Sequence, residues 1–177
     1  MNSSKLPLLM FTFSLILIFH APLPTLATTL CEALCEEAKE DKGRCLHLLK
    51  LDPRILEATD NIEISKLILG FGLRKAKRTQ KLLKEMMETN HSPLLAECAT
   101  TIYGGMLSSF RSSIAELTVD SLSANYDAQV AGDGTKTCEK VLAEAKIDNP
   151  TFNALNKDVL LLSKLGYLAT NKIPQTS

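Results

Sequence analysis

The residues with the most distinctive chemistry in this sequence are five cysteines, which can oxidise to disulfides, bind a metal ion or act as nucleophiles. Cys35 and Cys45 bracket a short segment, whereas Cys98 and Cys138 are forty residues apart. Cys31 has no obvious partner, and its spacing from Cys35 matches neither a zinc knuckle nor a redox pair. The chemistry of these thiols depends on the compartment, which the N-terminal residues indicate.

The first 27 residues have the pattern of a secretory signal peptide. Lys5 is the only charge before a mostly apolar run at residues 8–19, and small residues follow at Thr25-Leu26-Ala27. The apolar run is shorter than the ~20 residues that a membrane span needs. We therefore predict removal of residues 1–27, secretion, no membrane association afterwards, and an oxidising environment that favours disulfides.

The predicted mature chain, residues 28–177, has the composition of one helical domain. It carries 19 basic and 20 acidic residues, because Lys5 is the only charged residue of the leader. This balance argues against a nucleic-acid partner. Tryptophan is absent, and Leu, Ala, Lys and Glu are abundant, which favours helices.

Apolar residues recur at three- and four-residue steps along four long segments, and this spacing predicts amphipathic helices. These helices span residues 60–88, 92–117, 121–145 and 152–172, and two shorter helices at 30–40 and 44–51 precede them. Asp60 and Ser92 are the expected N-caps, and Pro93 fits a first helical turn. The short breaks predict an all-α fold, an up-down four-helix bundle with an N-terminal helical hairpin.

The third long helix is the least regular of the four. Its predicted inward residues are Leu122, Tyr126, Thr135, Cys138, Leu142 and Ala145. We expect a bend at Gly132-Asp133-Gly134 in its middle. In the first long helix, Gly70 and Gly72 mark either a close helix contact or a kink.

The positions of the cysteines on these helices predict two disulfides. If the second and third long helices are antiparallel neighbours, Cys98 and Cys138 lie near the same end of the bundle. A bond between Cys35 and Cys45 would close the hairpin, although Cys31 is an alternative partner for Cys45. An unpaired Cys31 would be a free thiol or would link two molecules.

Other reactive residues lack the spacing of an active site. His47 and His91 have no metal-binding partner at i+3 or i+4, and the pair Glu36-Glu37 has the character of a solvated face. The glycines match no phosphate-binding loop. The sequence predicts no catalytic residue, no cofactor and no metal site.

Two surface features remain. Asn90-His91-Ser92 is a glycosylation sequon in a predicted interhelical loop, so we expect Asn90 to carry a glycan. A basic stretch in the first long helix places four cations on one face: Arg74, Lys77, Arg78 and Lys81. This face is either solvated and paired with Glu85 and Glu88, or a contact face for an acidic partner.

Several motifs can be compared with a known family. They are Cys45 to Arg54 with its Asp-Pro-Arg end, Glu97-Cys98 followed by Tyr103, Asp133-Gly134 before Thr137-Cys138-Glu139, and Asn149 to Asn156. With the cysteine frame, the mature chain resembles the plant invertase and pectin methylesterase inhibitors. The resemblance implies a secreted, non-catalytic protein of the apoplast or cell wall. Such a protein binds a cell-wall enzyme and blocks its active-site cleft.

The two branches of this family differ in target. The resemblance implies that bundle helices cover the pectin-binding cleft in one branch, and that a Pro-Lys-Phe segment enters the sucrose site in the other. Residues 118–126 read Thr-Val-Asp-Ser-Leu-Ser-Ala-Asn-Tyr, without that segment, which favours pectin methylesterase. Phe152 to Asn156 is closer to the invertase branch, so an invertase inhibitor remains the alternative. A secreted bundle without inhibitory activity is the other alternative.

Overall fold

The computed structural model describes residues 29–174, so the predicted leader lies outside the described residues. Three short helices come first: α1 (Leu30–Glu37), α2 (Lys42–Leu49) and α3 (Pro53–Leu56), with a 3-10 turn at Lys39–Asp41 between the first two. The longer elements are α4 (Asn61–Met87), α5 (Pro93–Glu97), a π-helical turn (Cys98–Ile102), α6 (Tyr103–Glu116), α7 (Ser121–Glu144) and α8 (Pro150–Thr170). The helix α5, the π turn and α6 are continuous and form one rod, called rod 2 below.

Four rods make up the bundle, and each packs against two others. The helix α4 contacts α8 and rod 2, and α7 contacts rod 2 and α8. Because the connections between rods are short, consecutive rods are antiparallel. The prediction of an all-α, up-down four-helix bundle with an N-terminal hairpin and two disulfides is confirmed. In this arrangement α4 and α7 are diagonal to each other.

Side-chain caps begin three of the four rods. The carboxylate of Asp60 accepts hydrogen bonds from two backbone N–H groups of α4, as predicted. Asp120 caps α7 in the same way, and the amide oxygen of Asn149 caps α8 by accepting one bond, from the N–H of Phe152. Ser92 stands at the start of α5, but its side chain makes no capping bond; its N–H donates to Asn90 Oδ1 at 3.0 Å. The predicted hydroxyl cap at Ser92 is therefore wrong, although the helix start is right.

Two apolar clusters hold the fold together. One lies within the bundle, with Tyr103, Phe110 and Phe152 among its largest buried side chains. The other lies between the hairpin and the bundle, and joins Leu34 and Leu49 to residues of α4 and α8. The hairpin is thus part of the core.

The cysteines are distributed between these two clusters. Cys35 and Cys45 form a disulfide in the hairpin with Cα atoms 5.5 Å apart, and Cys98 and Cys138 form one between rod 2 and α7 with Cα atoms 5.2 Å apart. Cys31 is a free thiol that is 1% exposed, and burial raises its pKa. A link between two molecules through Cys31 would first need the hairpin to open.

The predicted inward face of α7 is wrong at its N-terminal end, where Leu122 and Tyr126 are exposed. Nine residues separate Tyr126 from Thr135, which is about two and a half turns, so the two side chains lie on opposite sides of the helix. The buried face of α7 consists mostly of small residues: Ala124, Ala128, Ala131, Gly132, Thr135, Cys138 and Leu142. Ala145 is only half-buried. Small side chains here allow α7 to lie close to α8 and rod 2.

The helix α7 runs through Gly132-Asp133-Gly134 without a break. Gly132 instead packs against α8, and a Cβ at this position would overlap the side chain of Ser163. The irregularity lies in rod 2, at the π turn. There the carbonyl of Ala99 accepts a hydrogen bond from Gln80 Nε2 of α4 at 3.0 Å.

Candidate interaction surfaces

The basic face predicted on α4 lies at the surface. Arg74, Lys77, Arg78 and Lys81 are all exposed. Arg74, however, also has a structural role: its Nη2 lies 2.6 Å from Asp52 Oδ2, and its guanidinium lies 5.4 Å from the centre of the Phe71 ring. It therefore helps to hold the segment before α3 against α4.

Asp52 is the centre of this structural contact, and its side chain is 8% exposed. It accepts two hydrogen bonds from Arg54, from Nε at 2.8 Å and from Nη2 at 2.6 Å, in addition to the bond from Arg74. The hydrogen bond from Arg54 is the main cause of the lowered pKa of Asp52, and Arg74 lowers it further. Within the Asp-Pro-Arg motif, Asp52 and Arg54 thus form a local ion pair. Asp52 also connects this pair to the bundle through Arg74 of α4.

Of the remaining three cations of the basic face, only Lys81 forms an ion pair with a described carboxylate. Lys81 Nζ lies 3.3 Å from Glu85 Oε1. Within residues 29–174, no carboxylate lies within 4.0 Å of Lys77 or Arg78, and Glu88 forms no ion pair. The predicted pairing with Glu85 is present, and the pairing with Glu88 is not. Lys77, Arg78 and Lys81 are the cations available to an acidic partner.

A second surface, not predicted from the sequence, lies where α7 begins. Val119, Leu122 and Tyr126 are 77%, 59% and 67% exposed, and we call them the apolar patch. Leu122 and Tyr126 are four residues apart on one side of α7, and Val119 lies in the turn just before this helix. Such a group of large apolar side chains at the surface is typical of a protein interaction site. Counting helical turns back from the buried Cys138 at 3.6 residues per turn places Leu122 and Tyr126 on a different side of α7, so their exposure could have been predicted from the sequence.

Carboxylates border the apolar patch. Glu116 has one carboxylate oxygen, Oε2, that is buried without a hydrogen-bond partner among the described residues. Burial raises the pKa of Glu116, and the nearby charges of Asp127 and Asp120 raise it further. Hydrogen bonds from Ser123 lower the pKa of Asp120, which keeps that carboxylate charged. The patch is therefore apolar with an acidic border.

The basic face and the apolar patch lie on diagonal rods, α4 and α7. The exposed sides of diagonal rods point away from each other in a four-helix bundle. One partner protein of ordinary interface size, about 800 Å² on each side, would therefore contact one surface or the other.

The motif that begins α8 contributes two side chains to the core. Phe152 and Asn156 are both buried. Asn156 Oδ1 accepts a hydrogen bond of 2.6 Å from the Tyr103 hydroxyl, and its Nδ2 donates to the carbonyl of Thr135 at 3.0 Å. These bonds join rod 2, α7 and α8 in the bundle core. Burial raises the pKa of Tyr103 well above its ordinary value, so its hydroxyl stays protonated as the donor.

Other predicted surface residues are placed as follows. Asn90 is exposed in the loop between α4 and α5, and His47 and His91 are also exposed. Glu36 pairs with Lys42, and Glu37 pairs with Lys172. In the part of the chain that the structure describes, no three His, Cys, Asp or Glu side chains are grouped closely enough to hold a metal ion. No helix among residues 29–174 has both the length and the apolar character needed to cross a membrane.

Solved structures of the same fold identify the architecture. A mutant form of a pectin methylesterase inhibitor from Arabidopsis superposes with a TM-score of 0.69 at 17% identity, over 84% of this chain and 94% of that one. A pectin methylesterase inhibitor from Arabidopsis thaliana gives a TM-score of 0.62 at 16% identity, over 82% of this chain and 97% of that one. No protein-family model matches the sequence, and no curated protein does. At this level of identity the likeness establishes the fold.

Proposed function

We propose that this protein, which has the fold of the pectin methylesterase inhibitors, is itself a secreted inhibitor of a plant cell-wall pectin methylesterase. It would act by reversible binding that covers the active-site cleft of the enzyme, without catalytic residues of its own. The observation that carries the proposal is the apolar patch on the bundle surface, which has the character of a binding site in a fold known from inhibitors.

The composition of the apolar patch suits the centre of a protein interface. Interface centres are enriched in aromatic and apolar residues and depleted of charge, and Tyr is among the residues that contribute most binding energy. Tyr126 and Leu122 supply such side chains. Asp120 and Asp127 at the border would favour a basic rim on the partner and would exclude an acidic one.

The invertase alternative receives less support. Its strongest sequence feature is the likeness at Phe152 to Asn156, but Phe152 and Asn156 are buried and serve the core. The exposed residues where α7 begins lack the Pro-Lys-Phe segment implied for invertase inhibitors. Two residues of the stretch that favours invertase, Phe152 and Asn156, are therefore in the core, whereas a surface feature disfavours invertase.

Secretion to the apoplast belongs to the same proposal. It is supported by the leader pattern at residues 1–27 and by the two disulfides. The exposed position of Asn90 supports glycosylation of its sequon in this setting. Secretion from plant cells should yield a protein that begins at residue 28. An intact leader on the extracellular protein would contradict the proposal.

Parallel inhibition assays test the function. The secreted protein is mixed with a plant pectin methylesterase and, separately, with an acid invertase. We expect loss of pectin methylesterase activity and unchanged invertase activity. If neither enzyme is inhibited at micromolar excess, the protein is a bundle without inhibitory activity towards these targets.

Two sets of substitutions locate the inhibitory surface. Leu122→Ser with Tyr126→Ser removes two of the three side chains of the apolar patch, and we expect inhibition to weaken about a thousandfold, because each interface hot spot contributes about 2 kcal/mol. Lys77→Glu, Arg78→Glu and Lys81→Glu reverse the basic face, and we expect no change in inhibition. All these side chains are exposed, so thermal denaturation should show intact folding. The opposite pattern would assign inhibition to the basic face on α4.

A further inference from the structure

A cleft opens between the hairpin and the bundle, and no residue of α4 is part of its lining. Its walls come from the 3-10 turn and α2 on one side and from α7 and α8 on the other. Its volume of about 400 Å³ lies in the range of small-molecule sites, about 300–1,000 Å³. A glycine, Gly132, forms part of its lining on α7, where a Cβ would overlap the side chain of Ser163, another lining residue.

The cleft carries an excess of positive charge. Arg44, Lys136, Lys157 and Lys164 line it, against two carboxylates, Asp41 and Asp133. A concave surface with one sign of charge in excess concentrates ligands of the opposite sign. The ligand favoured by this cleft is therefore an anion.

Two of the four cations serve to fix the walls. Arg44 Nη2 lies 2.8 Å from Asp158 Oδ1, and Lys164 Nζ lies 2.6 Å from Asp41 Oδ2. Both pairs connect the hairpin region to α8, so the two sides of the cleft are held at a set separation. A site with fixed walls loses little entropy when a ligand binds.

The other two cations are free to meet a ligand. Lys136 Nζ lies 3.5 Å from Asp133 Oδ1, and both side chains are about two-thirds exposed, so this pair is weak. Lys157 is exposed and has no carboxylate within 4.0 Å among residues 29–174. Lys136 on α7 and Lys157 on α8 thus present amines from two different walls.

The uncharged lining suits the hydroxyl groups of a sugar. Gln129 has an amide that can both donate and accept. The hydroxyl of Ser163 donates to the carbonyl of Ala128 at 2.6 Å, which leaves its oxygen as an acceptor. The half-buried ring of Tyr167 adds an apolar surface. A small inorganic anion would use the amines but would make no use of the Gln129 amide or the Tyr167 ring.

We infer that this cleft binds an acidic saccharide, a short chain of uronate sugars whose carboxylates pair with Lys136 and Lys157. Its hydroxyl groups would bond to Gln129 and Ser163. Binding at the cleft does not depend on inhibition of an enzyme, because the cleft residues are distinct from the apolar patch.

Titration of the isotope-labelled, secreted protein followed by amide NMR tests the inference. The probes are trigalacturonate, its fully methyl-esterified and therefore neutral form, and sodium phosphate. We expect trigalacturonate to shift amide signals around Lys136 and Lys157, with at least about tenfold weaker binding of the ester and of phosphate. No shift at millimolar trigalacturonate, or equal shifts with phosphate, would overturn the inference.

Matched substitutions separate the cleft from general charge attraction. Lys136→Gln and Lys157→Gln should each weaken trigalacturonate binding about tenfold, since each removes a charge-assisted hydrogen bond. Lys66→Gln removes the same charge from an exposed position on α4, away from the cleft lining, and should leave binding unchanged. Equal weakening by all three variants would contradict the assignment. Enzyme inhibition is not measured here, so this test and that of the proposed function can fail independently.

Discussion

Two carboxylates, those of Asp52 and Asp158, each connect parts of the chain that are distant in sequence. Asp158 accepts hydrogen bonds from Arg44 at 2.8 Å and from Lys75 at 2.9 Å. Burial alone would raise the pKa of Asp158, but these two cations outweigh it, so its pKa is lowered. At the residue scale, charged side chains therefore divide into those that hold the hairpin to the bundle and those left for a partner.

Asp52→Asn should destabilise the protein by about 1–2 kcal/mol at neutral pH, because hydrogen bonds to charged groups contribute about this much. The pKa of Asp52 is lowered in the folded state, so its contribution is present above the ordinary pKa of aspartate. It is lost as the pH falls through the lowered value. Urea denaturation should show a difference from the unsubstituted protein at pH 7 that shrinks towards pH 2.

Asp133→Asn is the control for Asp52→Asn. The carboxylate of Asp133 is exposed and forms only the weak pair with Lys136, so the free energy of unfolding should stay nearly constant. An equal loss in the two variants at pH 7 would mean that the arginine contacts of Asp52 contribute no specific stability.

Glu116→Gln should raise the melting temperature at pH 7. The pKa of Glu116 is raised in the folded state, so this carboxyl ionises more readily in the unfolded chain. The folded state therefore loses stability as the pH rises above the ordinary pKa of glutamate. The gain should disappear below that value, where the carboxyl is protonated in both states. Glu144→Gln, in an exposed pair with Lys140, should show no gain in calorimetry at either pH. A gain for Glu116→Gln that is the same at pH 3 and pH 7 would contradict this linkage.

At the element scale, close contacts between rods depend on small residues. On α4, Gly72 faces rod 2, and a Cβ there would lie 2.6 Å from a ring carbon of Phe110. Gly70, two residues earlier, has only Arg74 Nη1 within 4 Å of such a Cβ, at 3.7 Å. The predicted close helix contact is therefore present at Gly72 and not at Gly70, and α4 is α-helical through both positions.

Alanine at these two glycines should have effects of opposite sign. Gly70→Ala should stabilise the protein by up to about 1 kcal/mol, because alanine is the better helix former. Gly72→Ala should destabilise it by about 1–3 kcal/mol, because the rigid ring of Phe110 must move. Chemical denaturation measures both changes. Stabilisation by Gly72→Ala would show that the contact between α4 and rod 2 can relax without cost.

At the scale of the whole molecule, a hairpin and a bundle share one continuous fold, and each has its own disulfide. The disulfide of the hairpin closes 10 residues, and the disulfide between rod 2 and α7 closes 40. Both lie in buried clusters. The apolar patch and the basic face occupy opposite sides of the bundle that these bonds stabilise.

Removal of the two disulfides should have unequal effects. In the chain-entropy model, Cys98→Ala with Cys138→Ala should cost about 4 kcal/mol, and Cys35→Ala with Cys45→Ala about 3 kcal/mol, because the longer loop restricts the unfolded chain more. Equilibrium unfolding of the two double variants measures the difference. A larger loss for the hairpin pair would show that hairpin docking, and not loop length, dominates.

The amino-acid sequence by itself determined the helices, their approximate ends and the all-α class, because these follow from local periodicity, caps and prolines. It also indicated that Cys98 and Cys138 could meet once antiparallel order was assumed, but it left open whether Cys35 or Cys31 pairs with Cys45. Only the tertiary structure decided which face of α7 is buried. The buried face consists mostly of small residues and the large apolar residues Leu122 and Tyr126 are exposed, so the spacing of large apolar residues does not indicate the buried face. Tertiary packing likewise decided that Arg74 is partly structural, because its partner Asp52 lies 22 residues away in sequence. The cleft between hairpin and bundle depends on how two separately predicted units dock, and no local pattern encodes that contact.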